Sequence, residues 1–184
     1  MKNISYYIIF LLLACSSLVN AQNEDRKWAI SVGAGSVLYS ESDGPIVGGR
    51  LVDQFPRFSV ARYILKNTTL VASTSANFLE GQKYQTFDGE LRYDFGTSKN
   101  KLSLYAVIGG SFIEAIDLSP TANFGIGGTL WISNRFGLNG QASYRYSDAR
   151  FDLQRSHSFT SAGLVYLFSL SAKSKAETYK GCYR

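Results

Sequence analysis

Eight long segments in which apolar and polar side chains alternate leave this chain few folds to choose from. They are Lys27 to Tyr39, Phe55 to Ile64, Thr69 to Phe78, Gln85 to Gly96, Leu102 to Phe112, Ala122 to Ile132, Phe136 to Ser147 and Ser158 to Phe168. Successive side chains of a strand point to opposite faces, so a period of two gives each segment one apolar and one polar side. Most run for about 10 to 13 residues, longer than the five or six common in soluble strands and close to the roughly 9 to 11 that cross a bilayer at a tilt. Twelve Tyr, twelve Phe and only three Pro also favour strands over helices. With 184 residues there is room for one domain. The expected fold is an all-β, eight-stranded, antiparallel up-and-down transmembrane barrel.

The faces differ in kind. In the fourth segment Phe87, Leu91, Tyr93 and Phe95 share one side, with Gly89 as a small exception, and Asp88, Glu90, Arg92 and Asp94 share the other. In the seventh, Phe136, Leu138, Ala142, Tyr144 and Tyr146 stand opposite Asn139, Gln141, Ser143 and Arg145. Alternation alone does not say which side is outside, and a soluble barrel of the lipocalin kind would turn the apolar side inward. The opposite faces, however, are mostly Gly, Ser, Ala, Thr and Asn, poor in the Lys and Glu that coat soluble proteins; small residues suit a crowded lumen. Aromatics also gather toward segment ends, Trp28, Phe95, Phe136 and Phe168 at one end and Phe78, Phe87, Phe112, Phe124 and Tyr146 at the other, as two interfacial girdles would. Parity turns Trp131 inward, where it would close the lumen floor, and puts Arg62 on the lipid side near a rim, where its guanidinium can snorkel.

The N-terminus reads as an export signal: Lys2, the apolar run YYIIFLLLA from Tyr6 to Ala14, then Val19 and Ala21 as small residues before a cleavage between Ala21 and Gln22. The run is shorter than the roughly 20 residues of a membrane helix. LLAC, ending at Cys15, is a rival lipoprotein-type signal. The expected division is residues 1–21 as signal, 22–170 as barrel and 171–184 as a short periplasmic tail. After cleavage Cys182 alone remains, so no intrachain disulfide is expected. The net charge of +5 is mild and holds no Lys/Arg block, and with export it argues against a nucleic-acid partner.

The connections alternate in size. LKNT, TSKNK and SNR are short; SESDGPIVGGRLVDQ, LEGQKY, IEAIDLSPT and DARFDLQRSH are longer. Short periplasmic turns and longer outer loops are the arrangement of outer-membrane barrels, and an even strand number puts both termini in the periplasm.

Strand eight ends in SAGLVYLF. Its Ser161, Gly163, Tyr166 and Phe168 resemble the polar-x-Gly-x-x-aromatic-x-aromatic signal by which outer-membrane barrels are recognised by their insertion machinery. On these features the mature region resembles the small eight-stranded outer-membrane barrels of the OmpA/OmpX type. The resemblance implies residence in the outer membrane of a Gram-negative cell, among its lipid and lipopolysaccharide, and contact with that insertion machinery. It departs in the tail SLSAKSKAETYKGCYR, too short for the peptidoglycan-binding domain of OmpA-type proteins, so direct cell-wall anchoring is not expected. The tail is then a free periplasmic peptide or a contact for a partner.

Eight strands enclose a bore just wide enough to be filled by side chains, which argues against a general porin. The inward charges, Arg57, Asp88, Glu90, Arg92, Asp94 and Arg145, suit a buried polar plug, with Arg145 and Asp88 at heights that let them meet across the lumen. Buried charges need partners, since an unpaired one costs several kcal/mol. A proton or ion path is the other reading of the same residues. His157, the one histidine, lies between Ser156 and Ser158 at the outer start of strand eight and is expected at the polar interface. Some small outer-membrane barrels modify lipid A, a deacylase of that kind resembling a serine hydrolase with His and Ser one residue apart on a strand. Here His157 and Ser158 are adjacent and face opposite ways, the residue two on is Thr160, and only Asp148 or Asp152 in the preceding loop offers a carboxylate. No Cys/His cluster or phosphate loop appears, and no cofactor or metal is expected. The expectation is a non-enzymatic outer-membrane barrel with a structural role or as an accessory subunit of an outer-membrane complex. An adhesin or receptor acting through the outer loops comes second, a lipid A-modifying enzyme third.

Overall fold

The structure, a computed structural model, describes residues 27–41, 51–65, 67–77, 84–95, 101–114, 118–148 and 155–169. Ala21, Gln22, Cys15, Phe78, Asp152, the tail with Cys182 and most of the outer loops lie outside the described residues. Eight strands run in order: β1 (Trp28–Leu38), β2 (Leu51–Leu65), β3 (Thr68–Ala76), β4 (Gln85–Asp94), β5 (Leu102–Glu114), β6 (Leu118–Trp131), β7 (Phe136–Tyr146) and β8 (His157–Phe168). Each pairs antiparallel with its sequence neighbours, and β1 pairs with β8 from Trp28 opposite Phe168 to Leu38 opposite Ser158, closing the barrel. Closure leaves no sheet edge in need of a partner.

Two strands reach higher than the alternation predicts. β2 begins at Leu51, because Phe55 and the cis-linked Pro56 form a bulge opposite Ala34: Gly33 pairs with Arg57, and Gly35 with Gln54. The extra residue flips the parity, so Gln54 and Arg57 both face inward, and a period-two reading loses the strand at that point. β6 begins at Leu118, four residues above Ala122, so the expected loop IEAIDLSPT is mostly a β5–β6 hairpin with only 115–117 between strands. Pro120 lies above the last β6–β7 pair, Ala122 with Tyr146, where β6 has no neighbour on one side among the described residues and a residue without an amide hydrogen is tolerated. The longer β6 puts Phe124 at mid-height beside Ile108 and Tyr144, not in the upper girdle. It also makes this upper connection shorter than the lower one between β4 and β5. The lower turn from β2 to β3 carries Asn67 at φ 63°, a left-handed conformation that Asn tolerates.

The outer surface is a continuous apolar belt. One registered row runs Leu70, Leu91, Ile108, Phe124 and Tyr144 across β3 to β7, all exposed. A water-soluble monomer rarely exposes apolar surface on that scale. The lumen is filled in three tiers. Nearest the termini, Trp131 packs with Ala29, Ala61, Val71, Val165 and Leu167, and its indole N–H donates to Ser103 Oγ at 3.3 Å. At the far end Val37, Tyr39, Tyr84, Ile113 and Phe159 form a second apolar cluster. Charged and amide side chains fill the tier between.

Candidate functional site

The middle tier follows from register. Ser73 on β3 and Ser111 on β5 pair directly with Asp88 on β4, so all three side chains enter the lumen at one height. Arg57, just past the bulge in β2, pairs with Ser75, one inward position from Ser73, and its guanidinium reaches the same carboxylate. Arg57 Nη1 donates to Asp88 Oδ2 at 2.6 Å and its Nη2 to Ser73 Oγ at 2.7 Å; Ser73 Oγ donates in turn to Oδ2 at 3.3 Å. From the other side, Ser111 Oγ donates to Asp88 Oδ1 at 2.5 Å, and Arg145 Nη2 donates to the same oxygen at 3.0 Å. One carboxylate thus receives donors from β2, β3, β5 and β7. Asn123, beside Arg145, continues the chain by donating to Ser111.

Two cations around one buried carboxylate need more than that charge. Arg145 lays its guanidinium 3.8 Å from the centre of the Phe159 ring, and Arg57 lies 4.9 Å from the same ring. The ring face attracts both cations and covers nitrogen that no hydrogen bond reaches, Arg145 Nε and Nη1 among them.

Below lies a second network. Gln141 Nε2 donates to Glu90 Oε1 and Oε2 at 3.0 and 3.2 Å, and its Oε1 accepts from Arg92 at 3.0 Å and from Tyr105 at 3.3 Å. Arg92 stands 3.8 Å from Glu90 and 4.8 Å over the Tyr105 ring. Asn139 ties Tyr105 and Thr129 to β7 at 2.9 and 3.0 Å. Asp94 is the exception among the expected charges: it faces inward lower down, half-buried, and among the described residues its carboxylate makes no ion pair or hydrogen bond. It lines, with Arg92, Tyr105 and Trp131, a cavity of about 50 Å³ above the floor. Beside Arg57 and Gly163 the free space shrinks to about 10 Å³, close to the least that holds one water.

His157 is not at the interface. It faces the lumen beside Arg145, its β7 partner, and is 2% exposed, its ring 4.8 Å from that of Tyr39. Its Nδ1 lies 2.9 Å from the Arg155 carbonyl. Ser158 and Thr160 are on the outer surface, the other side of the strand. Ser156 Oγ accepts the Ser147 amide at 3.0 Å. Tyr39 and Tyr84 join hydroxyls at 2.8 Å above this layer.

The four residues of the terminal pattern divide by parity. Ser161 and Gly163 face the lumen; Tyr166 and Phe168 face out, stacked at 6.5 Å with an interplanar angle of 10°. Gly163 pairs with Gly33 of β1. A Cβ on Gly33 would run into the Ala162 carbonyl and the Gly163 Cα, and one on Gly163 would lie 2.7 Å from the Val32 carbonyl. The glycine pair is thus what lets β1 and β8 close the barrel at this radius. Arg62 is exposed at the lower rim, 5.1 Å over the Trp28 ring.

The inward partners Ser73, Ser111 and Gln141 are visible in sequence as polar positions of the right parity. Phe159 and Tyr105 are inward aromatics whose parity is legible once Arg145 and Arg92 are placed inside, but nothing local marks them as covers for arginine.

No family model matches the chain, and neither does any curated protein sequence. Solved structures do match. The N-terminal β-barrel domain of Pseudomonas aeruginosa OprF aligns with a TM-score of 0.59 at 13% identity, over 78% of this chain and 98% of that one. Ail, the attachment invasion locus protein of Yersinia pestis, aligns with a TM-score of 0.52 at 13% identity, over 78% and 99%. The outer membrane protein OprG of Pseudomonas aeruginosa aligns at 0.50 and 12% identity, over 81% and 99%. At these identities the likeness is one of fold, and the fold of this chain is that of the small eight-stranded outer-membrane β-barrels.

Proposed function

We propose that this chain is a non-enzymatic integral barrel of the Gram-negative outer membrane, exported by a signal cleaved after Ala21, with both termini in the periplasm. It serves envelope structure or is an accessory subunit of a larger outer-membrane assembly. The observation that carries this reading is the Asp88 carboxylate at mid-lumen, held from four strands. A bore stitched shut at mid-depth suits a scaffold better than a channel. His157 and Ser158 on opposite faces weigh against hydrolytic chemistry at the only histidine. The working surfaces are then the lipid-facing belt, the outer loops and the tail. Outer-membrane lipid and lipopolysaccharide surround the belt, and the insertion machinery reads Tyr166 and Phe168.

A second reading, binding through the outer face, has one observation in its favour. The β5–β6 hairpin projects past the end of β7, and a solved barrel of like fold is named for attachment and invasion.

The test is gentle detergent extraction of outer membranes, followed by the native size of the complex and identification of copurifying chains. Partners at fixed ratio support the accessory-subunit role. A monomer without partners leaves the structural role, and loss of cell binding on deleting the outer loops would replace it with the adhesin reading.

A further inference from the structure

We propose that the rim at the terminal end of the barrel, from β2 through β1 and β8 to β7, is a binding surface for the anionic headgroups of phospholipids. Register builds it. Arg62 on β2 pairs with Trp28 on β1, Trp28 pairs with Phe168 on β8, and Tyr166 two residues earlier pairs with Phe136 on β7. Arg135 directly precedes Phe136, and its carbonyl accepts the Leu167 amide at 2.8 Å, which holds it against the end of β8. Two arginines therefore flank a shelf of four aromatic rings on three consecutive strands, with Arg62 on the fourth. With strands about 4.8 Å apart, the flanks are separated by roughly 15 Å.

Three of the rings touch in series: Phe136 and Tyr166 lie 4.9 Å apart, and Tyr166 stacks on Phe168. Rings of this kind settle at the boundary between hydrocarbon and headgroups, which fixes the depth of the arginines beside them. Arg62, resting on the Trp28 ring, is held at that depth with its charge exposed. A guanidinium offers a phosphate two parallel donors and is less strongly hydrated than an ammonium, so it meets phosphate there at low cost.

Charge points to the same occupant. Among the described residues, the exposed charged side chains at this end are Lys27, Arg62, Lys101 and Arg135, all basic, whereas those at the opposite end are Glu41, Asp53 and Glu114, all acidic. No described carboxylate pairs with Arg62 or Arg135. An interfacial aromatic shelf between exposed guanidiniums matches a lipid phosphate in charge and in depth.

This inference rests on the membrane reading above, and one experiment separates the two. The full mature chain carrying Trp131→Phe, which leaves Trp28 as its one indole, is reconstituted in phosphatidylcholine vesicles. A fifth of the lipid is brominated phosphatidylglycerol or, in parallel, brominated phosphatidylcholine, and quenching of Trp28 is read. Phosphatidylglycerol is expected to associate roughly fivefold better than phosphatidylcholine, as one or two basic residues at a charged surface would bring about. Arg62→Gln combined with Arg135→Gln should bring the ratio near one, and Lys101→Gln, on the far side at the start of β5, should leave it unchanged. In 0.5 M NaCl the unsubstituted rim should lose most of its preference. Equal quenching by the two lipids, a preference that survives the double substitution or high salt, or one that Lys101→Gln removes equally, would overturn the proposal. The salt arm needs no rim variant to fold. If neither lipid quenches Trp28, the membrane reading fails and the rim with it; quenching by both equally sinks the rim alone.

Discussion

Arg145 on β7 and Asp88 on β4 are 57 positions apart and on strands that do not pair, yet Nη2 and Oδ1 meet at 3.0 Å with both side chains wholly shielded from solvent. The contact crosses the bore. It exists because closing eight strands brings β4 and β7 to face each other, and because parity turns both residues inward. Arg57 completes it from a third strand, and the Phe159 ring backs both cations. A bore crossed in this way ties four strands to one carboxylate.

Breaking the network at its centre should be costly. Asp88→Asn leaves Arg57 and Arg145 buried around a neutral amide, and removing one partner of a buried pair costs about 3–5 kcal/mol. Arg145→Leu should cost less, near the lower end of that range, because Arg57, Ser73 and Ser111 still serve Asp88. Urea unfolding in vesicles measures both. An Arg145→Leu variant as stable as the parent would show that the cross-lumen pair contributes nothing.

The inward and outward glycines should respond in opposite senses. Gly33→Ala puts a methyl into the backbone of β8 and should prevent closure, read as loss of the compact, heat-modifiable band on electrophoresis. Gly89→Ala and Gly140→Ala add a methyl with nothing within 4 Å. They should be neutral or stabilising by about 0.5–1 kcal/mol, the usual gain over glycine within a strand. Equal damage at all three positions would contradict the assigned facing.

Removing the floor should destabilise the barrel without opening it. Trp131→Ala empties the lower cluster and should cost about 3–5 kcal/mol, as deletion of a buried aromatic does. In planar bilayers neither the parent nor this variant should show porin-sized current steps, because the Asp88 tier above remains intact. Large steps from the parent chain would refute the sealed lumen.

The outward aromatics of strand eight can be tested in cells. Tyr166→Ala with Phe168→Ala should lower the folded fraction in the outer membrane several-fold, while refolding of the purified chain into vesicles proceeds. If the variant assembles in cells at the parental level, these rings are not an insertion signal.

Much of the architecture was legible in the residues themselves. Parity separates Phe87, Leu91 and Tyr93 from Asp88, Glu90 and Arg92, because a strand sends alternate side chains to opposite faces and a barrel has only two. It also set Trp131 inside and Arg62 outside. Legibility failed where period two is interrupted. At Phe55 and Pro56 the bulge inverts parity, so β2 was read as starting late, and at Pro120 a strand continues through a residue that usually ends one.

Height above the turns was enough to match Arg145 with Asp88 across the lumen; the other partners were not legible, since contact across a bore also depends on strand order, stagger and how far each side chain reaches. That geometry left Asp94 out of the network, took His157 from the interface into the lumen beside Tyr39, and set Phe159 behind two arginines. The sequence by itself determined the facing of side chains, because that is a property of each strand alone. Beyond the Arg145–Asp88 pair, only the tertiary structure decided who partners whom, because a cross-lumen contact exists only once the barrel is closed.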